Sequence, residues 1–383
     1  MGLGKQWLGW GSNGSTGRFC SGNSSMMEME SFAPGRIELL GNHTDYNSGE
    51  VLAVAVDLGV TVKGVASGDG KFHFASEQQE GSLSVNFSGE FAAGGEWWDY
   101  PLGVLWCLKR IGVEPPACSL RFDSTLPQGA GLSSSAAIEV ATAYFFLRMS
   151  GKGFPAMDVA RLCRAAENDF VGVPCGLLDQ ATSVFGKKDR VVHLDCRDET
   201  VELAPAPPDA SFIVVHSAVE HALTGGEYRE RREQCFAAAE GLGVQALRDT
   251  DSETVRASDL PDVVKRRALH VTGENERVRA GIQAISEGDL ETWGHLMSES
   301  HASSMVNFEN STAELDLLVD LAKSAQGVYG ARLTGGGFGG AIVALSDVDH
   351  AGRARDEIVA RYRKDTGNEG EGWILHASDG ASV

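Results

Sequence analysis

Residues Leu126 to Ala137 read LPQGAGLSSSAA, and their types and spacing suit one piece of chemistry, the holding of a phosphate. Gly129, Ala130, Gly131, Leu132 and Ser133 form a turn of small residues that leads through Ser134 and Ser135 into the apolar run Ile138 to Leu147. A glycine-rich turn feeding a helix N-terminus leaves backbone N–H groups unpaired and adds the positive end of the helix dipole. Serine hydroxyls there can also reach a magnesium ion, which prefers oxygen ligands. The segment lacks the Gly-Lys-Ser/Thr ending of a Walker A loop and contains no lysine. A turn followed by an ordinary helix cap would use the same residues, so the loop alone leaves both readings open.

Three further segments narrow the choice. Ala33 to Leu52 reads APGRIELLGNHTDYNSGEVL, Cys175 to Gln180 reads CGLLDQ, and Leu333 to Leu345 reads LTGGGFGGAIVAL. With the serine loop and in this order, they resemble the galactokinases of the GHMP small-molecule kinase superfamily, from about Ser31 into the C-terminal region. The resemblance implies ATP-dependent phosphorylation of the C1 hydroxyl of D-galactose, giving α-D-galactose 1-phosphate and ADP. It also implies an α+β GHMP kinase fold, with an N-terminal ribosomal-protein-S5-like lobe, a C-terminal ferredoxin-like lobe and the active site between them.

Site residues follow from the same resemblance. The loop Gly129 to Ser135 becomes the ATP cradle, with Ser76 near the nucleotide, and Ser135 and Glu167 become ligands of Mg2+. Glu167 lies twelve residues before Asp179; without the resemblance it reads as a surface carboxylate. Asp179 becomes the catalytic aspartate at the sugar's anomeric hydroxyl, although aspartate at a helix start is commonly a cap. Arg36 is its expected companion, a guanidinium that favours the ionised carboxylate and stabilises charge on the transferring phosphoryl group. Asn42, His43, Thr44 and Asp45, with Tyr228, become the sugar contacts, where an isolated polar turn would hydrogen-bond its own backbone. For the Gly335 to Gly340 segment, a tight turn and direct ligand contact stay equally open.

One departure from the family bears on specificity. Galactokinases carry asparagine where this chain has Glu38 and glutamate where it has Asn42, and in the family that glutamate accepts a hydrogen bond from the sugar's C6 hydroxyl. Asn42 can accept or donate. Either the pocket takes a modified sugar, such as galacturonate or N-acetylgalactosamine, or the two residues touch and the exchange is compensatory. A non-catalytic galactose sensor is the alternative of a different class.

The elements that must position these groups come from the rest of the chain. With 383 residues, two lobes are expected, divided at the proline-rich APAPPDA segment into 29–206 and 207–383. Residues 1–28, rich in Gly, Ser and Asn, read as a disordered leader. Strands are expected over Phe32 to Leu40, Val51 to Val65, Leu83 to Phe91, Phe212 to His216, Gly330 to Leu333 and Ala341 to Leu345. Helical spacing marks Leu102 to Ile111, Ala136 to Arg148, Ala156 to Phe170, Gly226 to Gly241, Val263 to Ser286, Leu290 to Ser304 and Thr312 to Ser324. A formal charge of −20 disfavours nucleic acid and anionic membrane as partners. Seven scattered cysteines without C-x-x-C spacing read as reduced thiols of a cytoplasmic protein. No apolar run reaches the roughly 18 residues of a membrane span, and a monomer is expected.

Overall fold

In a computed structural model describing residues 28–220 and 224–383, Met29–Leu40 (β1) and Glu50–Ala66 (β2) pair antiparallel. From Ala33 to Leu40 every residue of β1 is buried, so the strand is covered on both faces. β1 lies along one edge of β2, whereas Cys118–Ser124 (β5) and Arg190–Asp195 (β6) pair with successive stretches of the other. Phe72–Ser76 (β3), Ser82–Val85 (β4) and Thr200–Pro205 (β7) complete a sheet in the order β4-β3-β5-β2-β6-β7, with β1 beside β2. The expected strand over residues 83–91 is confined to its first residues, because the chain turns at Asn86 to Gly89.

Asp99–Arg110 (α1), Ser134–Met149 (α2), Ala156–Ala165 (α3) and Leu178–Phe185 (α4) follow, with α2 and α4 packed on β1 and β2. The helix expected through Phe170 changes to a π turn at Ala166–Val171. Its wider spacing re-aims the side chains it carries, Glu167 among them.

A second sheet orders Glu371–Leu375 (β11), Ala210–Glu220 (β8), Gly339–Asp347 (β10) and Val328–Thr334 (β9), all antiparallel neighbours. Alternation along β8 and β10 divides the core. Phe212, Val214, Ala341 and Val343 join the cluster that continues into the first sheet, and Ile213, Val215, Ile342 and Ala344 join the one under Ala313–Ser324 (α9) and Ala351–Thr366 (α10). Thr224–Leu242 (α5), Ser252–Ala257 (α6), Asp262–Glu287 (α7) and Leu290–Ser303 (α8) fall in sequence between β8 and β9, two strands of this second sheet. A second π turn, Ser304–Phe308, extends α8.

The last residues return to the first sheet. Phe32 and Ser382 exchange two backbone hydrogen bonds of 2.9 Å, and Ser378 N–H donates to Ala55. The expected leader lies outside the described residues except for Glu28. Among the described residues, no helix is long and apolar enough to cross a membrane.

Candidate active site

The serine loop is built by backbone that only small residues adopt easily. Gly129 and Gly131 have φ of 71° and 66°, and Ser133, directly before α2, is left-handed at φ 56° and ψ 55°. Left-handed backbone is costly for residues with a Cβ. Ala130 and Leu132 are buried, so they contribute backbone to the loop and side chains to the core. None of the N–H groups from Gly131 to Ala136 donates to a backbone carbonyl among the described residues, which leaves a row of outward donors. The loop's carbonyls face inward, where Leu132 accepts the Arg36 N–H at 3.0 Å and Gly131 accepts Arg36 Nη1 at 2.6 Å.

Arg36 also grips Asp179 in the first turn of α4, with Nε to Oδ1 at 2.7 Å and Nη2 to Oδ2 at 2.9 Å. Burial alone would lower the arginine's pKa, but the Asp179 charge and hydrogen bonds outweigh it and raise it. Ser133, expected at the nucleotide, donates its hydroxyl to Asp179 Oδ2 instead and does not cap α2. The carboxylate is thereby fixed in plane by a planar fork and a hydroxyl.

The Asn42 to Asp45 turn, expected to meet the sugar, is less uniform than its sequence suggests. Asp45 lines the same cleft as Arg36, Asp179 and Tyr228, a cavity of about 320 Å³. Burial, and then the neighbouring Asp179 charge, pushes the Asp45 carboxyl up to about 7. His43 also borders the cleft, but both ring nitrogens are engaged, Nε2 with Gly336 O at 3.0 Å and Nδ1 with Tyr46 OH at 2.8 Å. A carbonyl only accepts, so Nε2 carries the proton and Nδ1 accepts from the tyrosine. Burial holds this ring neutral, with its pKa lowered to about 4. Its ring centroid lies 5.0 Å from that of Tyr228. Thr44 is a correction, since it is fully buried and its hydroxyl bonds the carbonyls of Gly41 and Glu50. It closes the turn and does not reach the cleft.

Glu38 and Asn42 do touch. Asn42 Nδ2 donates to Glu38 Oε1 at 3.0 Å and to Gly335 O at 2.8 Å, and its Oδ1 accepts from Asn310 at 3.1 Å. Arg332, fully buried on β9, reaches the same Glu38 oxygen at 3.2 Å. Glu38 Oε2 takes no hydrogen bond among the described residues, and the residue borders the cleft. The Gly335 to Phe338 turn forms another wall and ties the second sheet to Asn42 and His43.

On the far side of Asp179, the π turn delivers Glu167 to the start of α2. Its carboxylate accepts hydrogen bonds from Ser135, from Gln180 Nε2 at 2.6 Å and from Cys175 Sγ at 3.4 Å. Burial, and then the Asp179 charge, pushes its pKa up to about 7. Gln180 also bridges to the fully buried Glu139 at 3.3 Å. Ser135 lines a second cavity of about 180 Å³ with Ser76, Ser134, Trp97, Tyr100 and Phe122. The Ser135–Glu167 pair therefore stands at the boundary between the two cavities. No cluster of three or more His, Cys, Asp or Glu suited to a metal occurs among the described residues. An oxygen-only pair of one hydroxyl and one carboxylate fits magnesium, which keeps water and phosphate as its remaining ligands.

Sequence reasoning reached Arg36, Asp45, Asp179, Tyr228, Ser135 and Glu167, and these converge. It missed Arg332, Asn310, Gln180 and the aromatic wall of the second cavity. Arg332 left one trace, a charge inside the apolar strand VYGARLT.

The chain is similar to known proteins along most of its length. Residues 23–64 match the galactokinase galactose-binding signature, 99–187 the GHMP kinases N-terminal domain and 282–364 the GHMP kinases C-terminal domain. A galactokinase of Thermotoga neapolitana is 40% identical over 86% of this chain and 93% of its own length. One from Roseiflexus sp. is 37% identical over 91% of each. The crystal structure of Lactococcus lactis galactokinase complexed with galactose superposes with a TM-score of 0.88 at 29% identity, covering 93% of this chain and 95% of that one. Methanococcus jannaschii mevalonate kinase shares the fold, with a TM-score of 0.69 at 17% identity.

Proposed function

This chain belongs to the galactokinases and is an ATP-dependent galactose kinase, and we propose that Asp179, Arg36, Ser135 and Glu167 perform the transfer. The C1 hydroxyl oxygen forms a bond to the γ-phosphorus as the bond from that phosphorus to the β–γ bridging oxygen breaks, and ADP leaves. Asp179 accepts the hydrogen bond from the C1 hydroxyl, orients its lone pair and takes up the proton as the bond forms. A loose transition state needs little base strength, so alignment is the larger contribution. Arg36, already locked on Asp179, balances the charge gathered at the reacting oxygens. The second cavity would take the nucleotide, its base against Trp97, Tyr100 and Phe122 and its phosphates on the N–H groups of the serine loop. Ser135 and Glu167 would hold Mg2+, which when bound neutralises charge on the phosphates. The observation that carries this reading is the Ser135–Glu167 pair at the boundary of the two cavities, with Asp179 on the sugar side.

Galactose recognition rests on Asp45, Tyr228 and Glu38. The Asp45 carboxyl is pushed up to about 7, and its ionised form is the better acceptor for sugar hydroxyls. Galactose affinity should therefore rise with pH through 7, roughly tenfold between pH 6 and pH 8. Calorimetric titrations across that range measure it, and a pH-independent Kd would remove Asp45 from recognition.

The Glu38/Asn42 exchange we read as compensatory. Both donor hydrogens of Asn42 are used within the protein, and the free oxygen of Glu38 remains at the cleft. A uronate would meet three acidic side chains, Glu38, Asp45 and Asp179, the last already paired with Arg36, and be disfavoured. An ADP-release assay should show kcat/KM for galactose at least about 100-fold above galacturonate, with glucose also poor because a C4 epimer leaves polar groups unpaired. Preference for the uronate would overturn the compensatory reading, and galactose binding without turnover would favour a sensor. We place the lobe boundary at residues 206/207 and read the enzyme as a cytoplasmic monomer.

A further inference from the structure

Helix α7 does not line the cleft, yet one stretch of it meets the sugar turn at its start, middle and end. At the start, Glu274 Oε2 accepts the N–H groups of both Gly41 and Asn42 at 2.9 Å. At the end, the next residue, Asn275, accepts the Glu50 N–H at 3.0 Å. In the middle, His270, one helical turn earlier, packs its ring 4.4 Å from Phe308, which packs 4.4 Å from His43. A Cβ on Gly49 would lie 2.5 Å from Asn275 Oδ1, so helix and turn are in close contact.

Glu274 is fully buried, and its other oxygen pairs with Arg277 at 2.7 and 2.6 Å. Burial would raise its pKa, but the charges of Arg277 and Arg332 outweigh that and hold the carboxyl well below its usual range. A buried ion pair is a weak source of stability against an apolar replacement, so its presence calls for a role in geometry. Two adjacent N–H groups converging on one oxygen form a concavity that selects an anion. Gly41, at φ 98°, provides the backbone that makes them converge.

We propose that Glu274 is a positioning residue of the kinase, setting the Asn42 to Asp45 turn against the cleft and so governing affinity for galactose without touching it. This rests on the galactose-kinase reading above. Glu274→Gln keeps the shape but removes the charge and offers one neutral acceptor. It should raise the galactose KM about tenfold or more, leaving kcat and the ATP KM within about threefold. Glu274→Asp, which keeps the charge on a shorter stem, should show a smaller rise in the same parameter, and it decides the matter if the glutamine variant does not fold. Tyr362→Phe, which removes a hydrogen bond to Ser217 between two residues that do not line the cleft, controls for lost stability and should leave the galactose KM unchanged. An unchanged galactose KM in the Glu274 variants, or kcat and both KM values moving together, overturns the proposal. Absence of galactose turnover in the unaltered enzyme would instead sink the kinase reading.

Discussion

Asp179→Asn enzyme should lose about a thousandfold in kcat, within the 10²–10⁴-fold range typical of a positioned proton acceptor, while its galactose Kd changes only severalfold. With its oxygen at the Oδ2 position the amide still accepts from Arg36 Nη2 and Ser133, although its NH2 then faces the Arg36 Nε donor, and it cannot take the C1 proton. Asp179→Ala goes further. It leaves the Arg36 guanidinium, whose side chain is 7% exposed, without its carboxylate. Breaking a fully buried pair costs roughly 3–5 kcal/mol; with the Asp179 side chain 22% exposed, about 2 kcal/mol is the better expectation. Single-turnover ADP release paired with calorimetric galactose binding separates transfer from recognition. Activity within tenfold of the unaltered enzyme in both variants would show that Asp179 is not the catalytic group.

The second large effect comes from one added carbon. A Cβ on Gly176 would lie 1.9 Å from Asp45 Oδ2 and 2.4 Å from its Cγ. Gly176 is not among the residues of positive φ, so alanine meets no backbone penalty, only this collision. In Gly176→Ala the Asp45 carboxyl must leave its place. A charged hydrogen bond contributes about 1.5–3 kcal/mol, so the galactose KM should rise about 10- to 100-fold with the ATP KM unaffected. Combining it with Asp45→Ala should add little, because both changes remove one interaction. An unchanged galactose KM in Gly176→Ala, or full additivity in the double variant, would break the link from Gly176 through Asp45 to the sugar.

Legibility followed sequence distance. The β1–β2 hairpin and α2 were readable because their apolar runs are local. The polar helix α10, which buries only Ala351, Ala354, Ile358 and Tyr362, left too narrow a stripe to be noticed. The short hairpin β6–β7 was hidden because β7 is largely exposed. Glu167 could be named only through the family resemblance, and its orientation not at all, since the shift from α to π turn depends on packing. Thr44 misled because a hydroxyl beside an aspartate expected to read the sugar looks like a ligand, when its two bonds close the turn.

The sequence by itself determined the reaction class and the two-lobe α+β architecture, and it named most of the groups proposed to react. These reside in contiguous runs whose backbone chemistry is local: glycines that permit left-handed turns, serines at a helix start, an aspartate in a first helical turn. Tertiary structure alone decided what each group faces. The ties of Glu38 to Arg332, of His43 to Gly336 and of Gly41 to Glu274 span 294, 293 and 233 residues. Such contacts exist only once the chain has folded and buried charge has found its partner, so no local pattern announces them.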